Sequence, residues 1–239
     1  MSNLRDFILE KVPNNKYFIS NEDLSNGPFI IDKPGYYHLK NNIEINFVKK
    51  KSDVWKYDID NIFGIPAGII ITTSNVVLDL NNFNIEQNLK DFLLQRFFAI
   101  IQLNNNPFIK NKGPIPLNNK DVIKPENIII RNGKIGLSSH QAILGNNNKY
   151  VLLENLEISN FEVTGINLNN VKYLTIDNVK VGPSNQDIPV TPSFSGLIFL
   201  FKLLNLCSKT VVKDKNKIEK ISQILDNIQS IINPLMNIL

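Results

Sequence analysis

The fold class this sequence predicts is all-β: a right-handed, single-stranded parallel β-helix of about five rungs, with an N-terminal cap and a C-terminal α-helix. Three observations predict it. Segments repeat at a 23-residue period, apolar residues alternate within each segment, and one asparagine recurs in register. Short strands stacked at a fixed period in the low twenties suit a solenoid.

Three segments align without gaps: Asn127 to Gly136, Tyr150 to Ser159 and Tyr173 to Gly182. A fourth copy fits upstream at Val77 to Glu86. Leu78, Ile128, Val151 and Leu174 form one apolar column, and Leu80, Ile130, Leu153 and Ile176 the next. Apolar residues two apart on a strand share a face, so one face is expected to be buried. Asn81, Arg131, Glu154 and Asp177 follow as a polar column. Asn82, Asn132, Asn155 and Asn178 come next as a structural ladder, and Ile85, Ile135, Ile158 and Val181 close the unit. Stacked amides can bond to one another, and asparagine tolerates the left-handed conformation of a sharp bend.

A second strand recurs at Ala142 to Leu144 and Gly165 to Leu168. The expected rungs are 68–86, 98–135 with an insertion over 104–124, 140–158, 165–181 and 196–212, the last after a loop from Pro183 to Pro192. Asn104 to Asn106 and Asn146 to Asn148 read as loop. The expected division is an N-terminal segment and cap over 1–66, the parallel β-helix over 67–212 and an amphipathic helix over 213–239. Within the first, Gly27 to Ile45 reads as short strands around Pro34-Gly35, covering the first rung.

The C-terminal segment changes period. Ile218, Ile221, Leu225, Ile228, Ile232 and Leu235 are spaced alternately by three and four, which is an a/d seam. Such a seam either covers the last rung or oligomerises, and isoleucine at both positions favours a trimer or higher. Pro234 is expected to bend or end the helix.

Composition narrows the function classes. The chain has 239 residues, 43% hydrophobic, with a formal net charge of +4. That supports a folded core and excludes a wholly disordered chain. One cysteine, Cys207, allows no internal disulfide and fits a reducing compartment. Charges within Met1 to Pro13 do not read as a signal peptide. The longest apolar run, Gly196 to Leu206, is too short for a membrane span. The positive charge is scattered, unlike the clustered stripe of a nucleic-acid binder. The 37 asparagines chiefly read as AT-rich codon usage, with the in-register subset placed by the fold.

Chemistry is sparse. Glu154 and Asp177 stack in one column with Arg131 on the other side of Glu154, so these three are the candidate catalytic residues, for an acid pair of the kind that cleaves glycosides or for a metal clamp. The bland reading is a solvated column at a bend. His140 after Ser138-Ser139 lacks an orienting acid, and His38 falls in the cap. No phosphate loop, CxxC pair or HExxH helix is present. No cofactor and no metal are expected. Trp55, Tyr57, Tyr150 and Tyr173 are candidate stacking platforms for a glycan.

The opening turn at Gly35 to Ile45, the GIIITTSNVVLDLNNFNI run of Gly68 to Ile85 and the 23-residue rungs resemble the pectin-lyase-like β-helix superfamily. Within it they resemble the β-helix proteins of nucleocytoplasmic large DNA viruses, over about Gly27 to Pro192. The resemblance implies a virion or particle-surface component assembled in a host cytoplasm, such as a minor capsid protein, with some relatives acting on glycans. The polygalacturonase motifs NTD, DD, GHG and RIK are absent, so no catalytic residue carries over. The expectation is a non-enzymatic structural protein whose partners are other subunits, in a homo-oligomer or against capsid proteins. The alternative is a polysaccharide lyase, glycoside hydrolase or glycan-binding module.

Overall fold

The computed structural model describes residues 3–47, 67–94, 98–104, 123–182, 196–197, 200–201, 203–205, 208 and 213–236. In chain order these hold α1 (Leu4–Leu9), β1 (Lys16–Ile19), a 3-10 turn (Asn21–Leu24), β2 (Phe29–Ile31), β3 (Gly35–Leu39), β4 (Ile43–Ile45), β5 (Ala67–Ile71), β6 (Val76–Asp79) and β7 (Asn84–Gln87). Then come α2 (Leu89–Leu94), β8 (Ala99–Leu103), β9 (Glu126–Gly136), β10 (Gln141–Asn146), β11 (Lys149–Ile158), β12 (Thr164–Asn169), β13 (Lys172–Val181) and α3 (Lys215–Met236).

The strands form two sheets, and every named pairing is parallel. One sheet runs β1-β3-β6-β9-β11-β13, with β7 pairing β9 and β4 pairing β7; the other runs β12-β10-β8-β5-β2. This is an all-β, parallel-sheet fold with few helices. Residues 23 apart meet directly: Val151 opposes both Ile128 and Leu174, and Leu153 opposes both Ile130 and Ile176. The apolar columns therefore stack like on like. Ile128, Ile130, Ile135, Val151, Leu153 and Ile158 are all fully buried in one core cluster. Each such side chain contributes roughly 1.5–3 kcal/mol by leaving water, and β-branched isoleucine suits the pleated surface.

The upstream copy pairs two residues away from the sequence alignment. Val76 opposes Ile128, Leu78 opposes Ile130, and Asp79, not Asn81, opposes Arg131. Register returns at Asn84 against Lys134 and Ile85 against Ile135. The corner from Asp79 to Asn84 is thus two residues longer than that from Arg131 to Lys134. An even slip leaves every side chain on its own face, so the apolar pattern could not reveal it. The extra residues lie over Gly133, where an added Cβ would come within 2.5 Å of Leu80 Cβ and 2.7 Å of Phe83 O.

Two other expectations change. Gly27 to Ile45 forms the short strands expected of it, but β2, β3 and β4 extend the sheets by pairing in register with β5, β6 and β7 instead of covering them. The cover lies further upstream, in β1 and the 3-10 turn, whose Leu24 is buried in the core. Within the expected fifth rung, 196–212, the described residues 196–197, 200–201, 203–205 and 208 are helical rather than strand. Leu197, Leu200, Phe201 and Leu204 follow the helical spacing, which a short apolar run hides among equally apolar neighbours. α3 forms as expected, with Pro234 in its last turn. Residues 48–66, which include Trp55 and Tyr57, residues 105–122 and 183–195, and Cys207 lie outside the described residues.

Tyr37 shows how tightly the N-terminal strands close. Its ring stacks on Tyr17 at 4.6 Å, and its hydroxyl donates to Lys33 O at 2.8 Å. Burial, then Tyr17 and Asp32, push its pKa up to about 12. The folded chain thus keeps this phenol protonated after the unfolded chain releases its proton near pH 10. Its contribution is full below about pH 10 and falls as pH rises towards 12. Denaturant midpoints measured across that window should drop more steeply for the wild type than for Tyr37→Phe; parallel slopes would reject this. Gly133→Ala should lower stability by about 1–3 kcal/mol in the same assay.

Candidate functional site

The candidate catalytic column lies on the face of the first sheet turned away from the core. Asp79, Arg131, Glu154 and Asp177 stand opposite one another across β6, β9, β11 and β13. They alternate in charge except at Glu154 and Asp177. There α1 supplies the missing cation: Arg5 pairs directly with Glu154 Oε2 and lies 3.8 Å from Asp177 Oδ2. Arg131 Nε donates to Asp79 Oδ2 at 2.8 Å, and Arg131 Nη1 lies 3.8 Å from Glu154 Oε1. Asp79 also accepts from Asn132 Nδ2, at 3.1 and 3.2 Å, and from Asn81 N at 2.9 Å. The result is a ladder of alternating charge across four strands and one helix.

Burial sets its chemistry. Glu154 is 3% exposed and Asp79 7% exposed. Ions so placed need partners, because removing one member of a buried pair leaves an uncompensated charge. α1 provides the cover: Ile8 and Val12 pack on Val77, Ile129 and Leu152, and the Phe7 ring sits 4.6 Å from Tyr150. Glu154, which sequence pairs with Asp177, is clamped between two guanidinium groups beneath a helix. An acid for glycoside cleavage must reach the glycosidic oxygen; this carboxylate is engaged by the chain itself.

The asparagine ladder runs beside the ion ladder. Asn178 Nδ2 donates to Asn155 Oδ1 at 2.8 Å, and Asn155 Nδ2 to Asn132 Oδ1 at 3.3 Å. Below Asn132 it ends on the Asp79 carboxylate rather than on Asn82, whose backbone N–H donates to Asn132 O at 2.7 Å. Asn82, Asn132, Asn155 and Asn178 have φ of 63°, 57°, 52° and 48°. Among the described residues, ten of the thirteen non-glycine residues with positive φ are asparagine. Codon bias alone would not gather them at that conformation, which is costly for most L-residues.

Three further amide pairs stack beyond those the repeat singles out. Asn127 Nδ2 donates to Asn75 Oδ1 at 2.8 Å, and Asn170 Nδ2 to Asn147 Oδ1 at 2.7 Å, with all four residues at positive φ. Asn169 likewise bonds Asn146 at 3.0 Å. The 23-residue spacing of Asn146-Asn147 and Asn169-Asn170 was the available signal. The Asn75–Asn127 column continues as Tyr150 and Tyr173, also at positive φ, with rings stacked at 4.8 Å and 8°. Arg5 left no signal, since nothing in the repeat points to an arginine far upstream.

The remaining candidates do other work. Ser138 Oγ donates to Gln141 O at 2.6 Å, and His140 O accepts from Val163 N and Thr164 N, so this pair organises a turn. His38 stands opposite Asp79, its ring 5.9 Å from that of Phe18. Glu157 is held below its usual pKa by Lys134, which binds it at 3.1 Å, and then by Lys180. Among the described residues no group of three or more His, Cys, Asp or Glu side chains could hold a metal ion. No described helix is long and apolar enough to cross a membrane. On α3, Ile218, Ile221 and Leu225 are half-buried and Ile228 is buried, while the side chains of Ile232 and Leu235 lie outside the described residues.

No family model matches the chain, and neither a curated protein nor a solved structure matches it.

The ladder predicts a graded response at Asn155. Asn155→Gly keeps the left-handed conformation and loses only amide bonds; Asn155→Ala loses both. In urea denaturation Asn155→Ala should cost about 1–2 kcal/mol more than Asn155→Gly. Equal losses would show that the conformation does not matter there.

Proposed function

We propose that this chain is a non-enzymatic structural protein, a right-handed parallel β-helix that presents its sides to other protein subunits. The observation that carries the reading is the closed ion ladder: the best acid pair in the sequence is engaged by Arg5 and Arg131 beneath α1. The β-helix reading is supported by parallel pairing at 23-residue steps and by corner residues that stack at positive φ. A particle component of a large DNA virus, assembled in a host cytoplasm, is the role suggested by the likeness of the Gly68 to Ile85 run to such proteins.

In this reading α3 covers its own chain through Ile228, with Ile218, Ile221 and Leu225 beside it. Ile224 and Ile231, 48% and 56% exposed, are left for a different neighbouring subunit, such as a capsid protein. Glycan binding is the second reading. It is favoured by Tyr173, which is 62% exposed and ends the tyrosine stack; aromatic faces of this kind hold sugars by apolar stacking.

Glu154→Ala separates a structural carboxylate from a catalytic one. The structural reading expects a loss of about 3–5 kcal/mol in stability, because Arg5 and Arg131 are left facing each other's charge. It also expects no turnover by the wild type on a panel of charged and neutral polysaccharides. Wild-type cleavage abolished by Glu154→Gln in a chain of unchanged stability would overturn it.

A further inference from the structure

The two ends of the sheets are finished differently. At the N-terminal end the 3-10 turn closes over the core with Leu24, which is 2% exposed. Asn21 latches that turn down, its Oδ1 accepting from Glu44 N at 2.9 Å. At the other end, among the described residues, both sheets stop on the edge strands β12 and β13. β13 is ten residues long, and the columns fully buried one strand below it surface there: Leu174 is 40% exposed, Ile176 48% and Val181 48%. A long apolar edge strand is a template for pairing with another chain unless charge, proline or a cover blunts it.

We infer that the β13 edge docks against the β13 edge of a second copy of this chain, forming a two-fold dimer. The self-complementary pattern of the strand selects this occupant. Leu174, Ile176, Val179 and Val181 are placed symmetrically about the bend between Asp177 and Asn178. A two-fold axis through that bend sets Leu174 against Val181 of the second copy and Ile176 against its Val179. β12 repeats the symmetry, with Ile166 and Leu168 on either side of Asn167 and both packed against the core. The edge strands at the N-terminal end, β1 and β2, are only four and three residues long against the ten of β13, so head-to-tail stacking would leave most of β13 unpaired, whereas an isologous contact matches it along its length and closes at two.

Charge agrees with that register. Lys180 falls opposite Thr175 and Asp177 opposite Asn178, so no like charges on β13 face each other. Asn178 uses one Nδ2 proton on Asn155 Oδ1; its other is directed to the Asp177 carboxylate of the second copy, and the bond occurs twice by symmetry. The inference needs only the open sheet edge, and it stands or falls separately from the particle and β-helix readings.

The test is light scattering and sedimentation on the full chain over a range of concentrations. The expected wild-type mass is twice 27.2 kDa. Ile176→Lys should weaken dimerisation by more than about tenfold, while Ile224→Lys with Ile231→Lys on α3 should leave the dimer intact. A wild type that stays monomeric, or an oligomer that survives Ile176→Lys and is lost with the α3 changes, overturns the inference. Should Ile176→Lys fail to fold, hydrogen exchange on the wild type decides. Protection of β13 amides should rise with protein concentration while that of β9 amides does not. Concentration-independent exchange at β13 overturns the inference.

Discussion

The structure depends on one constraint: the chain must turn the same corner at the same place in each repeat. A parallel strand can pair with its counterpart 23 residues on only if the intervening path is identical in length and in bend. Left-handed backbone at the corner sets the bend, and asparagine adopts it at lower cost than other residues with a side chain. The amide that permits the turn also bonds to the amide of the next one, so the same residue fixes the corner and its registration. Where the corner between Asp79 and Asn84 lengthens by two, the amide ladder stops and a carboxylate takes the next place.

The ion ladder follows from that registration. Strands in register bring residues of one column within reach, and Asp79, Arg131, Glu154 and Asp177 would leave two acids adjacent. Arg5 offsets that repulsion only because α1 is held on the sheet by Ile8 and Val12 against Val77, Ile129 and Leu152. Apolar packing places the guanidinium, and the buried carboxylates in turn anchor the helix.

Much of the fold was legible because stacking repeats each column. The parallel sheets, the buried isoleucine columns and the Asn132–Asn155–Asn178 ladder all follow from the period. The two-residue slip upstream was not legible, since an even slip preserves the apolar faces. Nor was the helical character of the described residues between 196 and 208, where apolar residues are so dense that strand and helix spacings both fit. The candidate site was half legible: three of its charged residues share a column in the sequence. Asp79 was hidden by the slip, and Arg5 arrives by tertiary packing that leaves no trace in the repeat. Asn146-Asn147 read as loop although the period held their partners, because a local run of asparagines masks placement.

The central claim is that equivalent residues stack in parallel at 23-residue steps. It is tested most directly by nuclear Overhauser contacts in a deuterated, amide-protonated sample. The account predicts parallel-sheet contacts from Val151 and Leu153 to Ile128 and Ile130 on one side and to Leu174 and Ile176 on the other. It also predicts contacts joining the side-chain amides of Asn132, Asn155 and Asn178. Antiparallel contacts between β9 and β11, or a step other than 23 between these strands, would contradict it.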